Sequence, residues 1–128
     1  MKTIFVVDDS SMNLVVAEDA LSDHYEVLTM LSASTMFELF DNVLPDLILL
    51  DIMMPDINGL DALKQLKANK QYMDIPVIFL TGKSDDATKT LGLEIGAADF
   101  IAKPFSKSIL LNSIETILHK GNEGKEHD

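Results

Sequence analysis

The chain contains no cysteine, no tryptophan and no arginine. Without cysteine, neither a disulfide framework nor a thiolate metal site is possible. All ten basic residues are lysines; they face 21 acidic residues, and the formal net charge is −11. Nucleic-acid-binding proteins normally present a basic surface rich in arginine, so direct contact with DNA or RNA is not expected. No apolar run approaches the ~20 residues that span a bilayer. Residues 1–7 lack the basic, apolar and cleavage segments of a signal peptide. A cytoplasmic location without membrane insertion is the expectation. Internal repeats, low-complexity blocks and Pro/Gly/Ser-rich linkers are absent as well. With 128 residues, 47% of them hydrophobic, the chain suits one domain with a real core rather than two.

What is present is a set of apolar, strand-like runs that each stop at a polar residue. Ile4-Phe5-Val6-Val7 runs into Asp8-Asp9, and Leu47-Ile48-Leu49-Leu50 runs into Asp51. Val77-Ile78-Phe79-Leu80 ends at Thr81-Gly82, and Phe100-Ile101-Ala102 ends at Lys103-Pro104. The pattern predicts strands at 3–7, 25–30, 46–50, 76–80 and 98–102. Helices are expected at roughly 11–22, 34–42, 59–69, 85–95 and 106–119. Ser10 or Ser11 can cap the first helix and Ser106 the last. Gly121 should end the last helix, leaving 121–128 as a polar, disordered tail to a domain spanning 1–120.

Continuous apolar strands suit a parallel sheet covered on both faces. Five βα units in a row, with right-handed crossovers, give an α/β fold: a flavodoxin-like (βα)5 doubly wound sheet in the order 2-1-3-4-5. The mixed second strand belongs at an edge. Strands 1 and 3 are then neighbours, and Asp8, Asp9 and Asp51 converge at the carboxyl edge, where ligands bind in open sheets.

Three aspartates in one pocket repel each other, and uncompensated they push at least one pKa up. A divalent cation removes that conflict. Oxygen ligands without Cys or His favour Mg²⁺, or Mn²⁺, over zinc. Thr81 offers a hydroxyl to a phosphate oxygen, and Lys103 a mobile positive charge. Each feature alone is equally compatible with a capping turn, a plain loop or a strand end. Four of them at matching strand ends are not readily explained that way.

The motifs Val7-Asp8-Asp9-Ser10, Asp51-Ile52-Met53-Met54-Pro55 with Gly59, Thr81-Gly82 and Lys103-Pro104-Phe105, in this spacing, resemble the receiver domains of two-component response regulators. The resemblance covers about residues 3–119. It implies that Asp51 is the phosphoacceptor, taking a phosphoryl group from a sensor histidine kinase or a histidine phosphotransfer protein. Asp9, Asp51 and the backbone carbonyl of Met53 would ligate Mg²⁺, with Asp8 acting mainly through a metal-bound water. Thr81 and Lys103 would contact the phosphoryl group, and the Lys103–Pro104 bond would be cis. Thr81 and Phe100 would be the switch residues, altering the surface of helix 4, strand 5 and helix 5 toward a downstream protein target. Apart from its own phosphorylation and dephosphorylation, the chain would not be an enzyme.

Met53 and Lys83 occupy positions that vary in the family and, by the resemblance, would flank the route of a hydrolytic water. On helix 1, Leu14, Ala17 and Leu21 form one apolar stripe; Met12, Val16 and Ala20 form another. Met12 and Val16 are candidates for docking a partner helix, and Ile109 for a partner or self-association surface. The leading expectation is a stand-alone, chemotaxis-regulator-like or phosphorelay receiver, since only about twenty-five residues follow Lys103. A degenerate receiver acting by binding alone is one alternative. A haloacid-dehalogenase-type phosphohydrolase is a second, but it would need an Asp where Met53 stands. A flavoprotein is the third; Asp8-Asp9 would repel the flavin phosphate, and the chain has no tryptophan and only two tyrosines.

Overall fold

The structure is a computed structural model that describes residues 1–82 and 86–126, with side chains described as far as His119. Its strands are β1 (Thr3–Val7), β2 (Glu26–Met30), β3 (Leu47–Asp51), β4 (Val77–Thr81) and β5 (Asp99–Ala102). They alternate with helices α1 (Ser11–Leu21), α2 (Ala33–Leu39), α3 (Gly59–Lys67), α4 (Asp86–Ile95) and α5 (Lys107–Glu126). The strands form one parallel sheet in the order β2-β1-β3-β4-β5, as the sequence predicts.

The sheet order follows from composition. β1, β3 and β4 are apolar at nearly every position and lie at the centre, where both faces are covered. Their side chains alternate between two cores. Phe5, Val7, Ile48, Leu50 and Phe79 point toward α2, α3 and α4. Ile4, Val6, Leu47, Leu49, Ile78 and Leu80 point toward α1 and α5. The mixed strand β2 takes one edge and the short β5 the other.

Helix starts are fixed by side-chain caps. The Ser10 hydroxyl accepts the Asn13 amide N–H, Ser32 accepts that of Thr35, and Asn58 accepts that of Asp61. Ser106 Oγ accepts the Ile109 N–H at 3.3 Å. These caps satisfy amides that have no partner in the first turn.

Several boundaries differ from the sequence reading. β3 and β4 each run one residue further, so Asp51 and Thr81 are the last residues of their strands. α2 ends at Leu39, with Phe40 as its still-helical cap and its ring stacked on Phe5, centroids 5.9 Å apart; the Asp41 and Asn42 amides then bond back to the Glu38 and Leu39 carbonyls in a tighter turn. Asp41 and Asn42, which compete for backbone hydrogen bonds, favour the turn that follows. α5 continues through Gly121 to Glu126. Glycine inside a helix costs only about 1 kcal/mol relative to alanine, and it stops a helix chiefly by adopting positive φ. Among the described glycines only Gly96 does so, at φ 124°. Residues 127–128 lie outside the described region.

Leu49 pairs with Val6 on β1 and Ile78 on β4 and is fully buried. Leu49→Ala should therefore lower the unfolding free energy by about 2–5 kcal/mol in urea denaturation. A loss below about 1 kcal/mol would contradict the packing described.

Candidate functional site

The β1–β3 register sets the site. Val7 pairs with Leu50, so the next residues, Asp8 just past β1 and Asp51 at the end of β3, stand side by side. Asp8 is completely buried. Its backbone N–H donates to the Met30 carbonyl at 3.1 Å. Its Oδ1 accepts the Ser10 amide at 2.9 Å, and its Oδ2 accepts the Asn13 side-chain amide at 3.3 Å. Asp9, next in sequence, is exposed. Asp51 is buried, and its Oδ1 accepts the Met53 N–H at 3.3 Å.

Lys103 reaches in from the end of β5. Its Nζ lies 2.9 Å from Asp8 Oδ2 and 3.1 Å from Asp51 Oδ1. Its backbone N–H donates to the Thr81 carbonyl at 2.8 Å, which ties this loop to the end of β4. The Lys103–Pro104 peptide bond is cis. On the opposite wall α3 begins at Gly59, whose N–H donates to the Ile52 carbonyl at 2.8 Å. A Cβ at Gly59 would stand 2.5 Å from the Asp51 carbonyl oxygen and 2.8 Å from Ile52 Cα. Only glycine lets α3 approach this closely, and that contact holds the backbone behind Asp51.

One carboxylate oxygen from each of Asp8, Asp9 and Asp51 lies within 4.8 Å of the others. Three carboxylates around one ammonium leave an excess of negative charge. Burial, the largest cause, pushes the Asp51 carboxyl up to about 6, helped by the Asp8 charge and opposed by Lys103 and the Met53 amide. Burial alone would lower the Lys103 ammonium, but its hydrogen bonds to Asp8 and Asp51 outweigh that and raise it. The Asp51 shift thus owes more to desolvation than to the mutual repulsion that the sequence suggests. The donor set is all oxygen, close together and short of positive charge, which fits a hard divalent cation such as Mg²⁺.

Asp9, Asp51, Met53, Asn58, Thr81 and Lys103 line one open cavity of about 650 Å³. The fold thus gathers Asp8, Asp9, Asp51, Thr81, Lys103 and Met53, with the Met53 side chain 77% exposed at the rim. Phe100 is not in this cavity. It lies half-buried on β5 with its ring 5.4 Å from that of Phe79. Met12 and Val16 are 75% and 44% exposed on α1, and Ile109 is 54% exposed on α5. Ala20, assigned by sequence to the same outer stripe as Met12 and Val16, is buried, whereas Val15 is exposed and widens the patch. Ala20 packs inward with Leu14, Ala17 and Leu21, because four inward positions fit along three turns of α1. Lys83 lies outside the described residues. The sequence reading missed Asn13 and Asn58. Asn58 carries a local signal, an asparagine just before a helix, whereas the contact of Asn13 with Asp8 does not follow from its local pattern.

The raised Asp51 carboxyl has a sign that can be tested. A folded-state pKa above the ordinary 3.8 means that the folded chain holds this proton more tightly than the unfolded one. The associated stability is present at low pH and is lost as pH rises through about 6. In metal-free buffer, Asp51→Asn should therefore be more stable than wild type by about 1–3 kcal/mol above pH ~7, and the difference should vanish near pH ~4. Urea denaturation across this range measures it; a variant less stable than wild type throughout would contradict the charge balance described.

The comparisons with known proteins agree with this geometry. The family model described as "Response regulator receiver domain" matches residues 4–115. A Vibrio cholerae protein named "Probable cyclic di-GMP phosphodiesterase" is 39% identical over 91% of this chain and 26% of its own length. The phosphate regulon transcriptional regulatory protein PhoB of Pseudomonas aeruginosa is 36% identical over 96% of this chain and 54% of its own. The chain thus spans from about a quarter to about half of the length of these relatives. The BeF3-activated receiver domain of DrrB, a Thermotoga maritima protein, superposes with a TM-score of 0.84 at 32% identity, covering 93% of this chain and 98% of that one. A CheY-like receiver domain protein from Methanospirillum hungatei gives a TM-score of 0.88 at 26% identity, covering 97% and 98%. With its β2-β1-β3-β4-β5 sheet, its acidic cluster at the carboxyl edge and this match over most of its length, the chain belongs to the receiver domains of two-component response regulators, a family of phosphorylation-dependent signalling modules.

Proposed function

We propose that the chain is a switch thrown by phosphorylation of Asp51, with a histidine kinase or histidine phosphotransfer protein as donor. The observation that carries this reading is Lys103, bonded to both Asp8 and Asp51 at the floor of the cavity that Thr81 also lines. Asp9, Asp51 and the Met53 backbone carbonyl would hold Mg²⁺, with Asp8 contributing through a water. When bound, the cation would offset negative charge on the carboxylates and on the incoming phosphoryl oxygens.

The chain's own residues divide the remaining work. A carboxylate oxygen of Asp51 attacks the phosphorus of a phosphohistidine. The new O–P bond forms as the P–N bond breaks, and the imidazole nitrogen keeps the electron pair. Lys103 follows the growing charge from the carboxylates to the phosphoryl oxygens, and the Thr81 hydroxyl donates to one of them. Gly59 keeps Asp51 from retreating. The acyl phosphate then adds charge and acceptor oxygens at the pocket. Thr81 moves toward them, Phe100 follows, and the α4–β5–α5 face changes for a downstream target. Met12 and Val16, with Val15, would receive a partner helix beside the acceptor, and Ile109 would belong to the output or self-association face.

Met53 also weighs against a phosphohydrolase. It stands where such an enzyme needs a second aspartate, and a thioether cannot carry the proton to a leaving group. Its exposed side chain at the rim suits the other role, control of water access to the acyl phosphate.

Intact mass after incubation with acetyl phosphate tests the central step. Wild type should gain a single phosphoryl adduct that requires Mg²⁺, and Asp51→Asn should gain none. No adduct under fast quenching, with a phosphohistidine donor as well, would point instead to a receiver that acts by binding alone. Met53→Asn should change the lifetime of the adduct; an unchanged rate of loss would remove Met53 from the path of the hydrolytic water.

A further inference from the structure

Gly92 lies in the interior of α4, where alanine would be the better helix former, and it is buried. A Cβ at this position would stand 2.5 Å from Phe100 Cζ and 3.2 Å from Phe79 Cε2. The two rings are not equally free to respond. Phe79 is fully buried on the central strand β4 and cannot yield without opening the core. Phe100 is half-buried on the edge strand β5, so its ring has a route outward. The space that any side chain at position 92 needs is the space that the tip of the Phe100 ring now fills.

We propose that Gly92 is a positioning residue that decides the pose of Phe100. Its missing side chain admits the ring between α4 and Phe79. Any larger residue turns the ring out toward solvent. Phenylalanine χ1 sits in discrete staggered wells, so the displacement is a jump between two poses rather than a gradual shift. Leu91 and Leu93, which flank Gly92 in sequence, are exposed on α4, and Asp99, next to Phe100, accepts the Ser113 hydroxyl of α5 at 2.6 Å. The pose of one ring is therefore placed to alter the surface from α4 to α5.

The functional half of this inference rests on the phosphorylation reading above, in which the inward ring belongs to the phosphorylated state. Gly92 then raises the inward population before any ligand binds. A substitution that lowers that population weakens, in proportion, the apparent affinity of whatever binds the inward state.

Two readouts on Gly92→Ala test it, the second repeated in a Phe100→Leu background, where the side chain lacks the Cζ atom. In wild type the Phe79 and Phe100 rings should give direct proton–proton NOEs, and in Gly92→Ala these should disappear. Beryllofluoride with Mg²⁺, used as a phosphoryl mimic, should bind Gly92→Ala about tenfold more weakly than wild type. With Phe100→Leu present, adding Gly92→Ala should change that affinity less than about twofold. If Gly92→Ala does not fold, the same clash requires Phe100→Leu to restore folding. Ring NOEs that persist in Gly92→Ala, an equal loss of affinity in both backgrounds, or failure of that rescue would overturn the proposal. A wild-type protein that binds no beryllofluoride would count against the phosphoryl reading, while the ring NOEs would still decide the role of Gly92.

Discussion

A single ammonium shared by two buried carboxylates governs the carboxyl edge of this sheet. Lys103 bonds to Asp8 and Asp51 at 2.9 and 3.1 Å, yet one positive charge cannot offset three acidic groups within reach of one another. The pocket is charge-frustrated by construction, and the raised Asp51 carboxyl records that, with burial as the main cause. In the proposed function a divalent cation would relieve this excess charge, and the lysine would follow an arriving anion. The same feature costs stability in the free protein, as buried charges without full compensation generally do.

The scaffold exists to hold that arrangement. The parallel register of β1 against β3 brings Asp8 beside Asp51, although the two are far apart in sequence. Gly59 lets α3 press on the backbone behind Asp51, and the Lys103 amide bonded to the Thr81 carbonyl fixes the loop that delivers the ammonium. Groups mounted on strand ends and short tied loops need little reorganisation when a reactant arrives. The part proposed to move lies elsewhere, at half-buried Phe100 on the edge strand.

Much of this was legible from residues alone, because apolar runs and their end points are local features. The continuous strands β1, β3 and β4 announced a sheet buried on both faces, and each ended at a residue that lines the site or is bonded there. The misplacements come from turn hydrogen bonds and packing details that the apolar pattern does not encode. α2 ends early because the Asp41 and Asn42 amides turn back to the Glu38 and Leu39 carbonyls. Gly121 stays inside α5, at the modest cost that glycine carries in a helix. Ala20 is buried because α1 packs more broadly than a single stripe. Asn13 and Gly92 were missed for the same reason. One matters for the side chain it meets on Asp8, the other for the ring it leaves room for, and neither spacing nor composition reveals such a partner.

The central claim is that the acidic cluster is completed by a divalent cation. Calorimetric titration of Mg²⁺ into the metal-free protein near neutral pH, alongside Asp9→Asn and Asp51→Asn, tests it most directly. The account predicts one saturable site per chain in wild type, strongly weakened or lost in both variants. No saturable binding, or binding that survives both substitutions unchanged, would contradict it.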